Sequence, residues 1–292
     1  MKIYFPNTSK QNLGGGWTWR RNTIKVLGDK VQFVNNVQDC DIVLITGVTI
    51  TDRTEMQQAK KLGKKLVLRV DNLPKDSRNR GCAFSRMKDF AKMADYIVYQ
   101  SKWSENYVGW WLKNKVKANS ARCSKCHSII YNGVDIDIFN YDDDPHDRGN
   151  TYLYVQYNRD ENKRIEEAFY HFHLVTRKYK DASLKLVGKF SPERVKYNFD
   201  FFDNEDVQYL GVTDNPKAMA DIMRICKYFY FPAFIDSCSN TLAEAMACSC
   251  TPLLVNDEGG SREVMEQNIF GVKPIQEMAD EYYKIFEKVL RK

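Results

Sequence analysis

The sequence predicts an α/β chain of two doubly wound, Rossmann-like domains facing a cleft. Three observations carry that expectation. Short apolar runs rich in Val, Ile, Leu and Tyr alternate with longer amphipathic stretches along the whole chain, the pattern of parallel sheets with right-handed crossovers. One polar, acidic stretch at 140–150 breaks the alternation midway. Strand-like runs end repeatedly in glycine or in short polar loops, and doubly wound sheets bind ligands beyond such carboxyl ends.

In the first half, strands are expected at 2–5, 30–34, 41–46, 65–70, 95–99 and 128–131, with helices at 17–27, 52–62, 82–94 and 102–113. In the second half, strands are expected at 152–156, 184–187, 207–210, 228–231 and 252–255, with helices at 162–179, 214–225, 240–248 and 261–267. A last helix, 276–290, follows the final strand. The expected domains are therefore 1–140 and 141–275, followed by a terminal segment 276–292.

Composition narrows the class. The chain has 292 residues, 43% hydrophobic and 28% charged, as in a soluble globular protein, and no apolar run reaches the ~18 residues of a membrane span. Met1-Lys2-Ile3-Tyr4-Phe5-Pro6 reads as a first strand and not as a signal peptide, so a cytoplasmic location is expected. The eight cysteines are then expected as reduced thiols. Residues 1–140 hold 24 Lys/Arg against 12 Asp/Glu, while 141–292 hold 20 against 26. A basic first half suits an anionic or membrane-bound partner, or reflects only solvated lysines on helix faces; both readings stay open.

The most informative stretch is 231–266. Asp236 and Glu244 flank a polar loop, Ser237-Cys238-Ser239-Asn240-Thr241, that runs into the helix-forming Leu242-Ala243-Glu244-Ala245-Met246-Ala247. A helix starting there aims backbone N–H groups and the positive end of its dipole at whatever lies ahead, which suits a phosphate or diphosphate. Two carboxylates beside it suit sugar hydroxyls. Together they suggest a nucleotide-sugar.

This stretch resembles the donor-binding signature of retaining GT-B glycosyltransferases of family 4. The resemblance rests on Asp236, Glu244, Ala245-Met246-Ala247-Cys248, Pro252 and Gly259-Gly260-Ser261-Arg262-Glu263. It departs in two places: Asp stands at 236 where Glu is commoner, and no Gly follows Cys248. Arg69-Val70-Asp71-Asn72, the run Ala94 to Ser104, and Ile129-Ile130-Tyr131-Asn132-Gly133-Val134-Asp135 also resemble the family.

The resemblance implies a GT-B fold whose last helix packs back on the first domain. It implies a hexosyltransferase-like enzyme, retaining and metal-independent. The enzyme would move a sugar from a nucleoside-diphosphate donor, UDP- or GDP-linked, to a hydroxyl on a glycan, glycolipid or other acceptor. Asp236 would approach the donor sugar, and Arg159 and Lys163 would neutralise the departing diphosphate. Glu244 would hold the ribose, while Ser239, Asn240 and Thr241 would cap the helix and face the phosphates. The strand ends at Gly188 and at Gly211-Val212 would surround the base. In the first domain, Gly14, Gly15 and Gly16 form a turn like the family's Gly-Gly loop, which would let Gly15 and Gly16 approach the phosphate or sugar of the donor, though without a dinucleotide fingerprint. Many members place a His near the donor sugar. None of His127, His146, His171 and His173 falls at such a position, and Asp71 or Asn72 would fill that space on the acceptor side. The departing phosphate oxygen would take the acceptor proton on the same face.

No cofactor or metal is expected. Cys123-Ser124-Lys125-Cys126-His127 offers at most three zinc ligands with no second pair, so free thiols in a basic loop are the default. Trp103, Tyr107, Trp110 and Trp111, followed by Lys113, Lys115 and Lys117, suit either a packed core face or a peripheral contact with an anionic membrane. Nucleic acid is not expected as a partner, because no ordered basic–aromatic motif is present. The alternative to an enzyme is a non-catalytic module of the same fold that binds a nucleotide-sugar or a glycan.

Overall fold

A computed structural model of the chain describes residues 1–6, 15–48, 51–70, 83–115, 127–141, 148–157, 161–190 and 205–291. By contact density the chain divides into two units, one of residues 1–133 with 273–292 and the other of residues 134–272.

The first unit carries β1 (Lys2–Tyr4), α1 (Gly15–Leu27), β2 (Gln32–Val34), β3 (Ile42–Ile45), α2 (Arg53–Lys61), β4 (Lys65–Arg69), α3 (Ala83–Met93), β5 (Tyr96–Tyr99), α4 (Lys102–Lys115) and β6 (His127–Ile129). Its strands form one sheet in the order β2-β1-β3-β4-β5-β6, and every pair is parallel. The inner strands read as unbroken apolar runs because helices cover both faces; all four residues of β3 and of β5 are buried. The winding direction reverses between β1 and β3, and α1 begins beyond the carboxyl end of β1.

The second unit carries β7 (Thr151–Gln156), a 3₁₀ turn at 161–163, α5 (Ile165–Lys178), β8 (Ser183–Gly188), β9 (Val207–Tyr209), α6 (Pro216–Arg224), β10 (Tyr228–Tyr230), α7 (Asn240–Ala247), β11 (Thr251–Leu253) and α8 (Ser261–Gln267). Its sheet runs β11-β10-β7-β8-β9, again all parallel. Here the winding reverses between β7 and β10. Its core is aromatic: Tyr152 stacks on Tyr228 and Tyr230 at ring separations of 4.7 and 5.2 Å, and Phe169 and Phe172 of α5 close over them.

The last helix, α9 (Ile275–Leu290), belongs to the first unit. Ile275, Met278, Ala279, Tyr282, Ile285, Phe286 and Val289 recur at helical spacing and are buried in the same core as Trp19 and Leu27 of α1. Trp19 meets Tyr282 edge to face at 5.1 Å and donates its indole N–H to the Met278 sulfur at 3.2 Å. The division between units falls at 133/134, ahead of the acidic stretch. Residues 134–141 are drawn into the second unit by Arg224 of α6, whose guanidinium binds the Ile138 carbonyl at 2.6 Å and both the carbonyl and the side-chain oxygen of Asn140.

Candidate active site

In the second unit the carboxyl ends of β7 and β10 diverge at the reversal of winding, where a doubly wound sheet opens a crevice for a ligand. The segment after β7 leads to Lys163 and the one after β10 leads to Asp236. Lys163 donates to Asp236 Oδ2 at 3.0 Å, with its ammonium 5.4 Å from the Phe231 ring centre. The pair is held from behind. The Phe234 N–H donates to the Asn162 carbonyl at 2.7 Å, and the Tyr154 hydroxyl reaches the Lys163 carbonyl at 2.9 Å.

The Asp236 loop rests on the Gly259-Gly260 turn. The Gly260 N–H donates to the Asp236 carbonyl at 2.6 Å, and the Ile235 N–H donates to the Glu258 carbonyl at 2.7 Å. Gly259 has φ +136°, and a Cβ there would lie 2.8 Å from Asp236 N and 2.9 Å from Asp236 O. The Gly259-Gly260 pair of the motif is thus the floor under the acidic loop. Ile235 itself takes φ 38°, in the left-handed region.

Three residues beyond Asp236, Ser239 caps α7, accepting the Leu242 N–H at 3.2 Å. Asn240 and Thr241 are the first helical residues, so their amides face forward at the positive end of the dipole. The Ser237 hydroxyl is buried with no hydrogen-bond partner among the described residues, as is the Ser261 hydroxyl at the start of α8. Glu244, one turn into α7, is buried, and burial pushes its carboxyl up to about 7. Tyr157 lies close by: burial raises its phenol pKa, and the Glu244 and Asp214 carboxylates raise it further. Neither Tyr157 nor Asp214 carries a sequence signal that marks it as part of the site.

The two base-side glycines have different reasons. Gly188 takes φ +124°, and a Cβ there would stand 1.9 Å from the Gln156 carbonyl oxygen, so the parallel β7–β8 pairing itself demands glycine. Gly211 takes φ +78° with open space around it, so its requirement is conformational alone. Their backbones meet, Gly188 N–H to Gly211 O at 2.8 Å, and the Tyr209 hydroxyl donates to the Gly188 carbonyl at 2.8 Å. Val212 is exposed beside them.

In the first unit, Gly15 and Gly16 are the exposed first residues of α1, at that unit's own reversal of winding. Arg159, Asp71, Asn72, Gly14, Cys123, Cys126 and His146 lie outside the described residues. The strings around Arg69, Gln100 and Asn132 come together as a buried polar knot. Arg69 Nη2 donates to Gln100 Oε1 and to Asn132 Oδ1, each at 2.8 Å, and Gln100 Nε2 donates to the Val70 carbonyl at 2.7 Å. The Arg69 guanidinium also lies over Trp19, 4.2 Å from the ring centre. The knot ties the ends of β4, β5 and β6. His127 meets Glu105 at 2.5 Å, and His171 meets the Tyr230 hydroxyl at 2.8 Å, with burial lowering the His171 pKa. Cys40, Cys226, Cys238, Cys248 and Cys250 are buried and outside any disulfide among the described residues. Among the described residues no group of three His, Cys, Asp or Glu is placed to hold a metal, and no helix is long and apolar enough to cross a membrane.

Two all-parallel, doubly wound units, with the last helix returned to the first, define the GT-B class of glycosyltransferases. The chain belongs to the family of glycosyl transferases group 1, whose model matches residues 140–292. Solved structures share the fold. Anabaena HepE in complex with UDP-glucose superposes with a TM-score of 0.67 at 13% identity, covering 99% of this chain and 90% of that one. The sucrose-phosphate synthase of Thermosynechococcus elongatus gives 0.72 at 12% identity, covering 100% and 90%. A curated relative from Campylobacter jejuni is the N-acetylgalactosamine-N,N'-diacetylbacillosaminyl-diphospho-undecaprenol 4-alpha-N-acetylgalactosaminyltransferase. It is 36% identical over 69 residues, which span 23% of this chain and 18% of the relative.

Proposed function

We propose that this chain is a retaining, metal-independent glycosyltransferase that moves a sugar from a UDP-sugar to a hydroxyl of a lipid-linked glycan. The observation that carries the reading is the Lys163–Asp236 pair at 3.0 Å, three residues ahead of the cap of α7 and at the reversal of winding. A cation, an anion and a helix N-terminus within one loop suit a reaction in which diphosphate departs from a sugar.

In this reading the amides of Asn240 and Thr241, with Lys163 and Arg159, take the charge that grows on the diphosphate. Those fixed donors stand where a metal ion would otherwise be needed. Glu244 accepts the ribose hydroxyls, and Gly188, Gly211 and Val212 border the base. Asp236 steadies the sugar as positive charge develops at its anomeric carbon. The bond from that carbon to the diphosphate breaks, and the bond to the acceptor oxygen forms on the same face. The acceptor proton passes to the departing phosphate oxygen, so configuration is kept. Gly15 and Gly16 join the donor-binding residues, and Asp71 and Asn72 serve the acceptor side. UDP as the donor nucleotide is supported by HepE, whose complexes hold UDP and UDP-glucose. A lipid-linked acceptor is supported by the diphospho-undecaprenol named for the curated relative.

A melting screen against UDP-, GDP-, ADP- and dTDP-sugars tests the donor site. A ligand at 100 times its dissociation constant stabilises by roughly 2.7 kcal/mol, and Glu244→Ala removes that shift. Release of free nucleotide in EDTA with an acceptor mixture tests the chemistry. Binding without release reassigns the chain as a nucleotide-sugar-binding module. Activity abolished by EDTA overturns the metal-independent reading, and a trapped glycosyl–Asp236 adduct overturns the same-face step.

A further inference from the structure

Lys163 sits where the backbone is tied by two different elements. The 3₁₀ turn at 161–163 ends on it, and the next residue, Arg164, takes φ 50° ahead of α5 with no side-chain cap. A left-handed residue other than glycine persists only where its surroundings over-determine the chain. Two consecutive carbonyls supply that hold. The Asn162 carbonyl accepts the Phe234 N–H at 2.7 Å, from the segment that leads to Asp236. The Lys163 carbonyl accepts the Tyr154 hydroxyl at 2.9 Å, from the strand that precedes the turn.

Tyr154 is itself built into the sheet. It lies buried on β7, with Leu186 of β8 paired on one side and Tyr230 of β10 on the other. Its ring centre is 6.0 Å from that of Phe190. The hydroxyl also reaches Gln156 Oε1 at 2.8 Å, so its single proton lies between two fixed oxygens. From the backbone anchored in this way, the Lys163 side chain passes the Phe231 ring and reaches Asp236 Oδ2 at 3.0 Å. A lysine carries its charge on a flexible four-carbon stem, so the place of the charge depends on how firmly the backbone is held.

We propose that Tyr154 is a positioning residue: through its hydroxyl it fixes the backbone of Lys163 and so the place of the ammonium beside Asp236. The inference rests on the reading of Lys163 as the cation that meets the departing diphosphate. Tyr154 acts through Lys163 and not on the substrate. Loss of the hydroxyl therefore displaces the charge without removing it, and costs less rate than loss of Lys163.

Tyr154→Phe removes the hydroxyl and keeps the ring. Tyr230→Phe is the control, because that hydroxyl lies in the same core but binds His171 of α5 at 2.8 Å instead of the turn. Nucleotide release at saturating donor should fall about tenfold in Tyr154→Phe, as for a displacement of about half an ångström, with the donor KM nearly unchanged. Tyr230→Phe should keep the wild-type kcat. In the Lys163→Met background, Tyr154→Phe should cost nothing further, since both changes act through one charge. Acetylation of the Lys163 amine by acetic anhydride, followed by peptide mass spectrometry, should be faster in Tyr154→Phe than in wild type and unchanged in Tyr230→Phe. Lys163 acetylated at the wild-type rate in Tyr154→Phe overturns the proposal. A loss of kcat shared by Tyr230→Phe, or one that adds in full to that of Lys163→Met, overturns it as well. No nucleotide release by the wild type, or wild-type release by Lys163→Met, counts against the functional reading instead, and the acetylation rates alone then decide the positioning.

Discussion

Replacing Gly259 by alanine changes the candidate site without altering any side chain that meets substrate. Two costs arise. At φ +136° an L side chain is strained by about 1–3 kcal/mol. The new Cβ also lies 2.8 Å from Asp236 N and 2.9 Å from Asp236 O, and ordinary contact requires a retreat of about half an ångström. The hydrogen bonds from Gly260 N–H to Asp236 O and from Ile235 N–H to Glu258 O pin the loop, so the retreat disturbs them and moves the Asp236 carboxylate. A misplacement of ~1 Å costs ~10²-fold in rate, so half of that costs about tenfold in kcat. Gly271 supplies the control, because it has φ +132° with nothing within 4 Å of an added Cβ. Gly271→Ala should lower stability by the strain alone, about 1–3 kcal/mol, and leave kcat intact. Both variants are to be compared with wild type by thermal melting and by nucleotide release at saturating donor. Equal kcat in Gly259→Ala and Gly271→Ala would falsify the role of Gly259 as the floor of the Asp236 loop.

Other predictions concern charge and backbone. Burial raises the Glu244 pKa from 4.5 to about 7, so the folded apo protein favours the neutral carboxyl. The native state then holds the proton while the unfolded chain has lost it. The associated stability is present below pH ~4.5 and is lost as pH rises through ~7, on the order of 3 kcal/mol. Glu244→Gln should remove that fall from a melting-versus-pH curve; parallel curves for the two proteins contradict the assignment. Lys163→Met should lower kcat by roughly 10²–10³ with a smaller change in KM, since its charge is needed most as the diphosphate leaves; a loss confined to KM points to ground-state binding instead. Ser249, with φ 57°, occupies the left-handed position that ends α7. Ser249→Gly should relieve about 1–2 kcal/mol of strain and return ~0.4–1 to the unfolded chain's entropy, a net gain of about 0.5–1 kcal/mol readable as a higher melting temperature. A lower melting temperature refutes it.

The sheets were legible because their strands are short and mostly apolar, with the inner ones β3 and β5 wholly buried, so pattern alone marked every described strand within a residue or two, including the partly exposed β2, β9 and β11. The C-terminal helix was legible as a helix from the spacing of Ile275, Met278, Ala279, Tyr282 and Phe286, whereas the unit it joins came from the family resemblance. The reading of the 140–150 stretch as the joint was less direct. A polar, acidic composition marks solvent exposure, and nothing in it tells that Arg224, more than eighty positions on, fastens Ile138 and Asn140 to the second unit. For the same reason Tyr157 and Asp214 could not be tied to Glu244 from sequence. Their closeness depends on how segments after two different strands are laid side by side.

The two departures from the family signature carry different weight. Ser249 stands where the signature has glycine. The hydrogen bonds from Ser249 N–H to Met246 O and from Cys250 N–H to Ala245 O close the carboxyl end of α7, a cap in which the left-handed residue is commonly glycine. That end is about 12 Å from the helix start, at ~1.5 Å per residue. A serine there taxes stability and leaves the forward-facing amides of Asn240 and Thr241 where they are. Asp236 is different, because its carboxylate is the group that Lys163 reaches. A side chain one methylene shorter than Glu moves the charge toward the loop backbone, and the Gly259–Gly260 floor fixes how far that backbone can follow. Restoring the longer side chain alone, as Asp236→Glu, therefore changes reach without changing charge. A gain in kcat would show that the short carboxylate limits this chain with the donor tested. A loss would show that the Lys163 contact and the loop beneath it are set for aspartate.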